Sequence, residues 1–255
     1  MPVELSFRDD CAVLTLNRPE ALNALSFAIL GEIGAAIDEA GRSKARALIV
    51  IGAGPKAFCA GADIKELGGR DLAAQKRGAE FGQSVFAKLD TLPIASVAVI
   101  NGFAFGGGLE LALACTFRLA TPNAKMACPE IKLGLIPGYG GTQRLPRIVG
   151  EARALELVMT GRTVDAAEAA ALGLVSRIVS GDAVTEGIAF ARSFTQFSLP
   201  VLGFARAAVQ RALSVPLQDG LKIEADLSTL AYRTEDASEG IAAFADKRPP
   251  RFRDA

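Results

Sequence analysis

Glu110 stands just after a glycine-rich loop and near the start of a strongly helical run. The loop, residues 101–108, reads NGFAFGGG, and residues 109–114 continue it as LELALA. Consecutive glycines at a helix start let a ligand approach free backbone N–H groups, and the helix dipole favours a developing oxyanion there. If Gly107 supplies such an N–H group, Glu110 lies three residues, or about 4.5 Å, further along the helix axis. The loop and the carboxylate can then share one pocket that stabilises an oxyanion and moves a proton.

A carboxylate at this helical position also has an ordinary explanation, which is a favourable interaction with the helix dipole. Against that explanation, Glu110 is the only charged residue between Leu92 and Cys115, a stretch that is otherwise mostly apolar. An ionised carboxylate in apolar surroundings is costly unless something compensates it, and such groups are frequent at functional sites. Both explanations stay open, and the isolation of Glu110 favours the catalytic one.

A second candidate carboxylate, Glu130, lies in another glycine-rich segment, residues 128–145. Pro129 precedes it and Pro137-Gly138 forms a turn, so we expect Glu130 on a rigid, irregular backbone, with a helix starting at Thr142 or the glycines before it. An ordinary surface or first-turn carboxylate explains Glu130 equally well on composition alone.

The segment around Ala62 is a candidate for a backbone donor. Asp63 and Glu66 have the spacing of a capping box, which predicts a short helix with Ala62 just outside it. The Ala62 N–H then has no helical acceptor, and Gly61 permits an unusual turn that aims it into a cleft. A plain helix start accounts for the same spacing, and such starts are common.

The elements that must position these groups alternate between strands and helices. Residues 3–7 and 11–16 predict a hairpin, and Ser26 is the predicted cap of a helix that runs to Gly41. Continuous apolar runs over residues 47–51 and 94–100 predict strands buried on both faces, with a helix over residues 72–89 between them. Residues 101–145 show few clear periodicities, which is typical of functional loops. Later helices are predicted over residues 151–160, 164–172, 185–197, 200–213, 217–232 and 237–246.

Composition excludes several chemistries. The 255 residues include no His, which removes His-dependent triads, HExxH zinc sites and imidazole proton shuttles. With 28 Lys plus Arg against 28 Asp plus Glu, the chain lacks the basic footprint of a nucleic-acid or acidic-membrane binder. The loop at residues 52–57 fits a dinucleotide-binding pattern formally, but the chain continues as a loop instead of opening a helix.

Cysteine usage and hydropathy predict a reduced, cytoplasmic protein. Cys11, Cys59, Cys115 and Cys128 form no CxxC pair, and no charged region followed by an apolar segment opens the sequence. The one membrane-like stretch, residues 92–115, contains Pro93, Glu110 and clustered glycines, which argues against a spanning helix.

Four long motifs, in order, resemble those of the enoyl-CoA hydratases in the crotonase (enoyl-CoA hydratase/isomerase) superfamily. They are NRPEALNAL at residues 17–25, AFCAGADIKE at 57–66, NGFAFGGGLE at 101–110, and the run from Pro129-Glu130 to Arg144-Leu145. The resemblance extends from end to end. It implies an α/β fold, a right-handed spiral of strand-strand-helix repeats over residues 1–195, followed by a helical trimerisation region over residues 196–255. It also implies a homotrimer or a homohexamer built from two trimers.

The resemblance further implies roles for individual residues. Glu110 and Glu130 correspond to the two catalytic carboxylates, Ala62 and Gly107 to the amide donors that hold the thioester oxygen, and Gly138 to a position that holds the water. The positions that correspond to the coenzyme A (CoA) site are Ala21, Leu22, Ala60, Asp63, Ile64, Lys65, Phe244 and Lys247.

The implied reaction adds water to a trans-2-enoyl-CoA, with hydroxyl on C3 and a proton on C2, in fatty-acid or related acyl-CoA catabolism. Glu110 takes a proton from water and Glu130 delivers one to C2. No metal and no separate cofactor are required, because CoA is part of the substrate. Open alternatives are a delta3-delta2 enoyl-CoA isomerase, which typically uses one carboxylate, another acyl-CoA activity of the superfamily, and an RNA- or CoA-binding relative without turnover.

This sequence departs from the family pattern at Cys128, where Gln is frequent, and this departure bears on the hydrogen bonding around Glu130. It also departs at Phe105 and Tyr139, so the acyl-chain length and branching do not carry over from relatives. The basic tail with Lys247, Arg248, Arg251 and Arg253 is explained as well by a solvated terminus as by a phosphate contact.

Overall fold

The structure is a computed structural model that describes residues 1–255, apart from the side chain of Leu67. The chain divides into two compact units, Met1–Ala189 and Phe190–Ala255, with the boundary inside one helix, Ala183–Thr195. The first unit contains the strands and all predicted catalytic residues.

The strands form one sheet in the order β1-β2-β3-β5-β7-β10 and another in the order β4-β6-β8-β9. Neighbouring strands are parallel except for the β1–β2 hairpin and the β8–β9 pair. The strands are β1 (Val3–Arg8), β2 (Cys11–Leu16), β3 (Ala47–Gly52), β4 (Ala57–Cys59), β5 (Ala95–Ile100), β6 (Phe103–Phe105), β7 (Phe117–Ala120), β8 (Lys125–Ala127), β9 (Val164–Asp165) and β10 (Arg177–Ile178).

Helices alternate with the strands along the chain, and only helices follow the last strand, β10. They are α1 (Phe27–Arg42), α2 (Ile64–Leu67), α3 (Leu72–Thr91), α4 (Gly107–Ala114), α5 (Gly141–Val149), α6 (Glu151–Thr160), α7 (Ala166–Ala171), α8 (Ala183–Thr195), α9 (Leu199–Arg211), α10 (Leu217–Ala231) and α11 (Glu235–Ala245). Short 3-10 helices span Pro19–Ala21 and Pro129–Leu133.

A strand-strand-helix repeat builds the first unit. The pairs β3 and β4, β5 and β6, and β7 and β8 each contribute their first strand to one sheet and their second strand to the other. Each pair is followed by helical structure, and each new pair adds parallel to the previous one. The predicted repeating α/β architecture is confirmed. The repeat matters for the site because it brings the ends of β4, β6 and β8 side by side.

The buried strands and amphipathic helices agree with the sequence pattern. β3 is buried at every position, as its continuous apolar run predicts, and Ser26 caps α1 by accepting a hydrogen bond from the Ile29 N–H at 3.2 Å. α3 buries Gly78, Gly82, Val85, Phe86 and Leu89, a set at helical spacing. All four cysteines are buried, as expected for small core residues.

Three expectations about local structure were wrong. Residues 101–145 were expected to be mainly loops apart from the helices near 109–114 and 142, but they also contain the strands β6, β7 and β8. Such short strands have too few residues to show a period in the sequence. The helix predicted over residues 164–172 begins as the edge strand β9, whose pairing with β8 depends on tertiary contact. Glu66 does not complete a capping box, because its carboxylate accepts a hydrogen bond from the Phe27 N–H at 2.8 Å instead.

No helix among the described residues combines the length and the apolar character needed to cross a bilayer.

Candidate active site

The start of α4 places Glu110 inside the protein. Gly106 precedes the helix with a φ of 50°, a left-handed conformation that glycine adopts without strain, and its N–H donates to the Ala127 carbonyl at 2.9 Å. This link fastens the loop to the end of β8. Glu110 then lies in the first turn of α4 and is only 2% exposed.

The Glu110 carboxylate is held by backbone amides of the segment before α5. Its Oε1 atom accepts hydrogen bonds from the Tyr139 N–H and the Gly141 N–H, each at 2.7 Å. Gly141 has to be small there, because a Cβ atom would lie 3.0 Å from the same Oε1. Burial raises the pKa of Glu110 to about 7, and the repulsion of Glu130 adds to this, while the two amide donors oppose it.

Glu130 reaches the same region from the 3-10 helix Pro129–Leu133. A Cβ atom at Gly106 would lie 2.6 Å from Glu130 Oε1, so the carboxylate packs directly on the backbone that opens α4. Its Oε2 atom is buried and has no hydrogen-bond partner among the described residues. Burial raises the pKa of Glu130 as well. A buried oxygen without a partner can still accept a hydrogen bond, as from an ordered water.

The structure therefore brings Glu110 and Glu130 together from segments 20 residues apart in the sequence. The pKa of Glu110 responds to the charge of Glu130, and burial together with the charges of both carboxylates raises the pKa of the Cys128 thiol. Two carboxyl groups that interact in a dry pocket settle into different protonation states. Cys128 stays protonated and lies close to both.

The predicted backbone donor at Ala62 lies in an isolated parallel bridge with Leu25. The Leu25 N–H donates to the Gly61 carbonyl and the Asp63 N–H donates to the Leu25 carbonyl, both at 2.8 Å. In this parallel pairing Leu25 bonds the carbonyl before Ala62 and the N–H after it. The N–H of Ala62 therefore points away from Leu25. The structure thus leaves the Ala62 N–H directed away from the bridge.

Gly107, the other predicted donor, is the first residue of α4, where an N–H group has no acceptor within the helix. Gly61 has a φ of 103°, and a Cβ atom on it would lie 2.9 Å from the Phe105 carbonyl oxygen and 3.6 Å from the Gly107 nitrogen. The backbone at Gly61 therefore lies close to that of residues 105–107. The two predicted donors lie in adjacent segments at the edge formed by β4 and β6.

Six of the predicted CoA-site residues lie in the segments beside Ala62. The Ala60 N–H donates to the Leu22 carbonyl at 2.9 Å, and Leu22 follows the 3-10 helix that ends at Ala21. Asp63 caps α2 by accepting from the Lys65 N–H at 3.2 Å. Both Ile64 and Lys65 are exposed on α2, with Ile64 at 62%. The structure therefore groups these residues on one side of the Ala62 segment.

The remaining predicted CoA residues, Phe244 and Lys247, lie in the second unit. Phe244 is on α11 and is 88% exposed, and Lys247 follows that helix with a φ of 55°. In the nearby basic tail, Arg248 forms a two-bond ion pair with Glu239, at 2.7 and 2.9 Å, so part of this charge is already neutralised within the chain.

Gly138, the predicted water-holding residue, lies beside α3, where its carbonyl accepts a hydrogen bond from Gln83 Nε2 at 2.9 Å. Sequence reasoning missed Gln83, and it missed Tyr139 and Gly141 as donors to Glu110. Backbone donors carry no residue-type signal, so only the repeated glycines of residues 138–141 hinted at a close approach in this segment.

Comparison with known proteins gives consistent matches along the chain. Residues 6–255 match the enoyl-CoA hydratase/isomerase family. The chain is 45% identical over 242 residues to a probable enoyl-CoA hydratase of Mycobacterium bovis, covering 94% of this chain and 93% of that protein. It is 38% identical over 251 residues to a crotonyl-CoA hydratase of Syntrophomonas wolfei, covering 97% and 96%. The crystal structure of an enoyl-CoA hydratase from Bacillus anthracis matches with a TM-score of 0.94 at 35% identity, covering all of both chains.

Proposed function

The chain belongs to the enoyl-CoA hydratase/isomerase family, and on that premise we propose that it adds water to a trans-2-enoyl-CoA to give a 3-hydroxyacyl-CoA. The observation that carries this proposal is the convergence of a buried carboxyl group, Glu110, and a half-buried one, Glu130, beside the amides of Ala62 and Gly107. Hydration needs a base for water, an acid for C2 and a place for negative charge on the thioester oxygen. These four groups can supply each of those needs.

In the proposed reaction the thioester oxygen lies between the N–H groups of Ala62 and Gly107. Charge collects on that oxygen as the hydroxyl group bonds to C3, and backbone donors aimed at such charge are among the strongest contributions to catalysis. Glu110 removes a proton from the water, and Glu130 gives a proton to C2. The donors stay fixed throughout, so little reorganisation accompanies the charge movement.

The assignment of acid and base follows from the hydrogen bonds of the two carboxylates. Two N–H groups stabilise the ionised form of Glu110, whereas Glu130 Oε2 has no donor among the described residues. Within an interacting pair, the negative charge is better placed on the carboxylate with more donors. Glu110 is thus the ionised base, and Glu130 holds the proton before the reaction.

Crotonyl-CoA is the first substrate to test, by following the loss of the absorbance of the conjugated thioester with no added metal. The proposal expects hydration by the wild-type protein and a 3-hydroxybutanoyl-CoA product. Conversion of a 3-enoyl-CoA without any hydration of crotonyl-CoA would instead assign the site to isomerisation. A panel of CoA esters that vary in length and branching then defines the acyl group.

We also propose that the chain assembles as a homotrimer or homohexamer. In support, the second unit exposes many large apolar side chains, and extensive exposed apolar surface favours association. They include Phe197, Val209, Leu213, Leu217, Leu221, Leu230, Tyr232, Ile241 and Phe244. Light scattering coupled to size-exclusion chromatography tests this proposal, and a monomeric mass at micromolar concentration would contradict it.

A further inference from the structure

One peptide group connects the outside of α3 to the carboxylate of Glu110. Gln83 on α3 donates its Nε2 hydrogen to the Gly138 carbonyl at 2.9 Å. The N–H of that same peptide group belongs to Tyr139 and donates to Glu110 Oε1 at 2.7 Å. Because the acceptor at Gly138 is a carbonyl oxygen, the amide nitrogen of Gln83 has to face it. The peptide plane between Gly138 and Tyr139 is therefore held at both ends.

The adjacent residues make a second contact between the same two segments. Gly82, next to Gln83 on α3, has no space for a Cβ atom because the Tyr139 ring lies directly against its backbone. The ring also packs edge-on against Phe86, one turn further along α3, with ring centroids 5.8 Å apart. Tyr139 is 7% exposed. Residues 82–86 thus fix both the side chain of Tyr139 and the peptide group that precedes it.

We propose that Gln83 is a positioning residue, which orients and polarises the Gly138–Tyr139 peptide group so that its N–H stabilises the ionised Glu110 carboxylate. A peptide plane is rigid, so a bond that fixes the carbonyl also fixes the direction of the N–H. A hydrogen bond at the carbonyl draws electron density from the nitrogen and makes the N–H a stronger donor, as in other hydrogen-bonded chains. Gln83 itself touches no reacting atom.

Other charged or titratable groups also act on Glu110, and none of them duplicates this effect. They are Glu130 and Cys128 around the 3-10 helix, Tyr139 before α5, and Arg144 on α5. Arg144 is held by Asp90 of α3 through two bonds of 2.7 and 2.6 Å. Gln83 is neutral, so its removal changes hydrogen bonding to the loop without changing the net charge around Glu110.

The direct test is the titration of the Glu110 carboxyl group in Gln83→Leu, followed by NMR with 13C-labelled glutamate and assigned by comparison with Glu110→Gln. Loss of the donor weakens stabilisation of the ionised form, so the pKa of Glu110 rises above its wild-type value of about 7. We expect an increase of up to about one pH unit, the scale of one modest hydrogen bond. Gln83→Lys keeps an N–H donor, and its titration midpoint is expected at or below that of the wild type.

Gln196→Leu is a matched control, because Gln196 also donates Nε2 to a backbone carbonyl, that of Ser193 at 3.1 Å, three residues earlier. It should leave the Glu110 titration unchanged. An unchanged Glu110 midpoint in a folded Gln83→Leu protein overturns the inference, as does an equal shift in Gln196→Leu.

Only the expected effect of Gln83 on kcat/KM rests on the proposed function. If the protein hydrates crotonyl-CoA, the low-pH limb of kcat/KM moves to higher pH in Gln83→Leu, and the loss shrinks above pH 8. A role limited to stability lowers the amount of folded protein without moving that limb. A shifted titration in a protein without hydratase activity supports the role of Gln83 and rejects the proposed function, so the two failures are distinguishable.

Discussion

Glu110 and Glu130 occupy adjoining regions whose local structures differ in kind. Glu110 is on a regular helix, α4, and two backbone amides of another segment converge on one of its oxygens. Glu130 is on a short 3-10 helix and is partly accessible, with one buried oxygen that has no hydrogen-bond partner among the described residues. The Glu110 carboxylate is thus supported by amides of another segment, whereas Oε2 of Glu130 is left without such support.

This difference assigns distinct chemistry to the two groups. The supported carboxylate tolerates a negative charge in a dry site, whereas the unsupported one is more stable with a proton that it can donate. Because the two groups interact, the two apparent pKa values belong to the pair. We therefore expect kcat/KM to depend on pH through both groups and to fall below about pH 7 as Glu110 gains a proton.

The largest expected effect comes from removing either titratable group. Glu110→Gln and Glu130→Gln should each lower kcat by about 10² to 10⁴-fold, the usual range for one positioned acid or base. Binding of a saturated acyl-CoA, measured by calorimetry, should remain nearly unchanged and serves as the control for folding. If either variant keeps full turnover, the division of labour between the two carboxylates is wrong.

A second prediction tests the catalytic contribution of the Gly107 N–H group separately from that of the two carboxylates. Gly107→Pro removes the N–H at the first helical position, where proline fits well, and should lower kcat/KM by about 10² to 10³-fold. Gly107→Ala is the matched control, because it adds a Cβ atom 3.2 Å from the Tyr139 ring but keeps the N–H. Equal losses in the two variants would attribute the effect to crowding and leave the Gly107 amide without a catalytic role.

A third prediction tests the raised pKa of Glu110 through the stability of the protein instead of its reaction rate. The pKa of Glu110 is about 7 in the folded protein and 4.5 is its ordinary value, so between these pH values only the folded protein keeps the proton. The free energy of unfolding therefore falls as pH rises from 4.5 to 7, by about 3 kcal/mol for this group. Chemical denaturation at pH 5 and pH 8 should show a smaller decrease in Glu110→Gln than in the wild type. Parallel profiles would mean that Glu110 has no raised pKa.

The smallest expected effect concerns the support behind Glu110. Asp90 and Arg144 form a two-bond ion pair between α3 and α5, and their side chains are 38% and 23% exposed. Asp90→Asn should lower the free energy of unfolding by about 1 kcal/mol, since exposed pairs contribute little and two-bond geometry adds to that. The activity should fall only a few-fold, because Gln83 and the Tyr139 ring still hold the loop. A loss as large as that of Glu110→Gln would contradict this ranking.

The sequence predicted local structure where neighbouring residues show a hydrophobic pattern or the residue type of a helix cap. It predicted the β1–β2 hairpin, the buried strand β3 and the Ser26 cap of α1, because neighbours in sequence determine each of these features. It did not predict β9 or the bond from Phe27 to Glu66, because both depend on contacts between segments far apart in the chain.

For the site, the sequence was enough to predict the carboxylate side chains, but not the backbone groups that hold them in place. Glu110 was conspicuous as a lone charge in an apolar stretch, whereas the donors at Tyr139 and Gly141 are backbone groups that every residue carries. The spacing of Glu110 and Glu130 in the sequence gives no indication that they meet. Their meeting depends on the parallel order of β6 and β8, which lies beyond any local pattern.

The most direct measurement is a crystal structure of the protein with bound 3-hydroxybutanoyl-CoA. The account predicts that the thioester oxygen lies within hydrogen-bond distance of the N–H groups of Ala62 and Gly107, and that both Glu110 and Glu130 face C2 and C3. A thioester oxygen bound elsewhere, or a substrate that only one of the two carboxylates can reach, would contradict it.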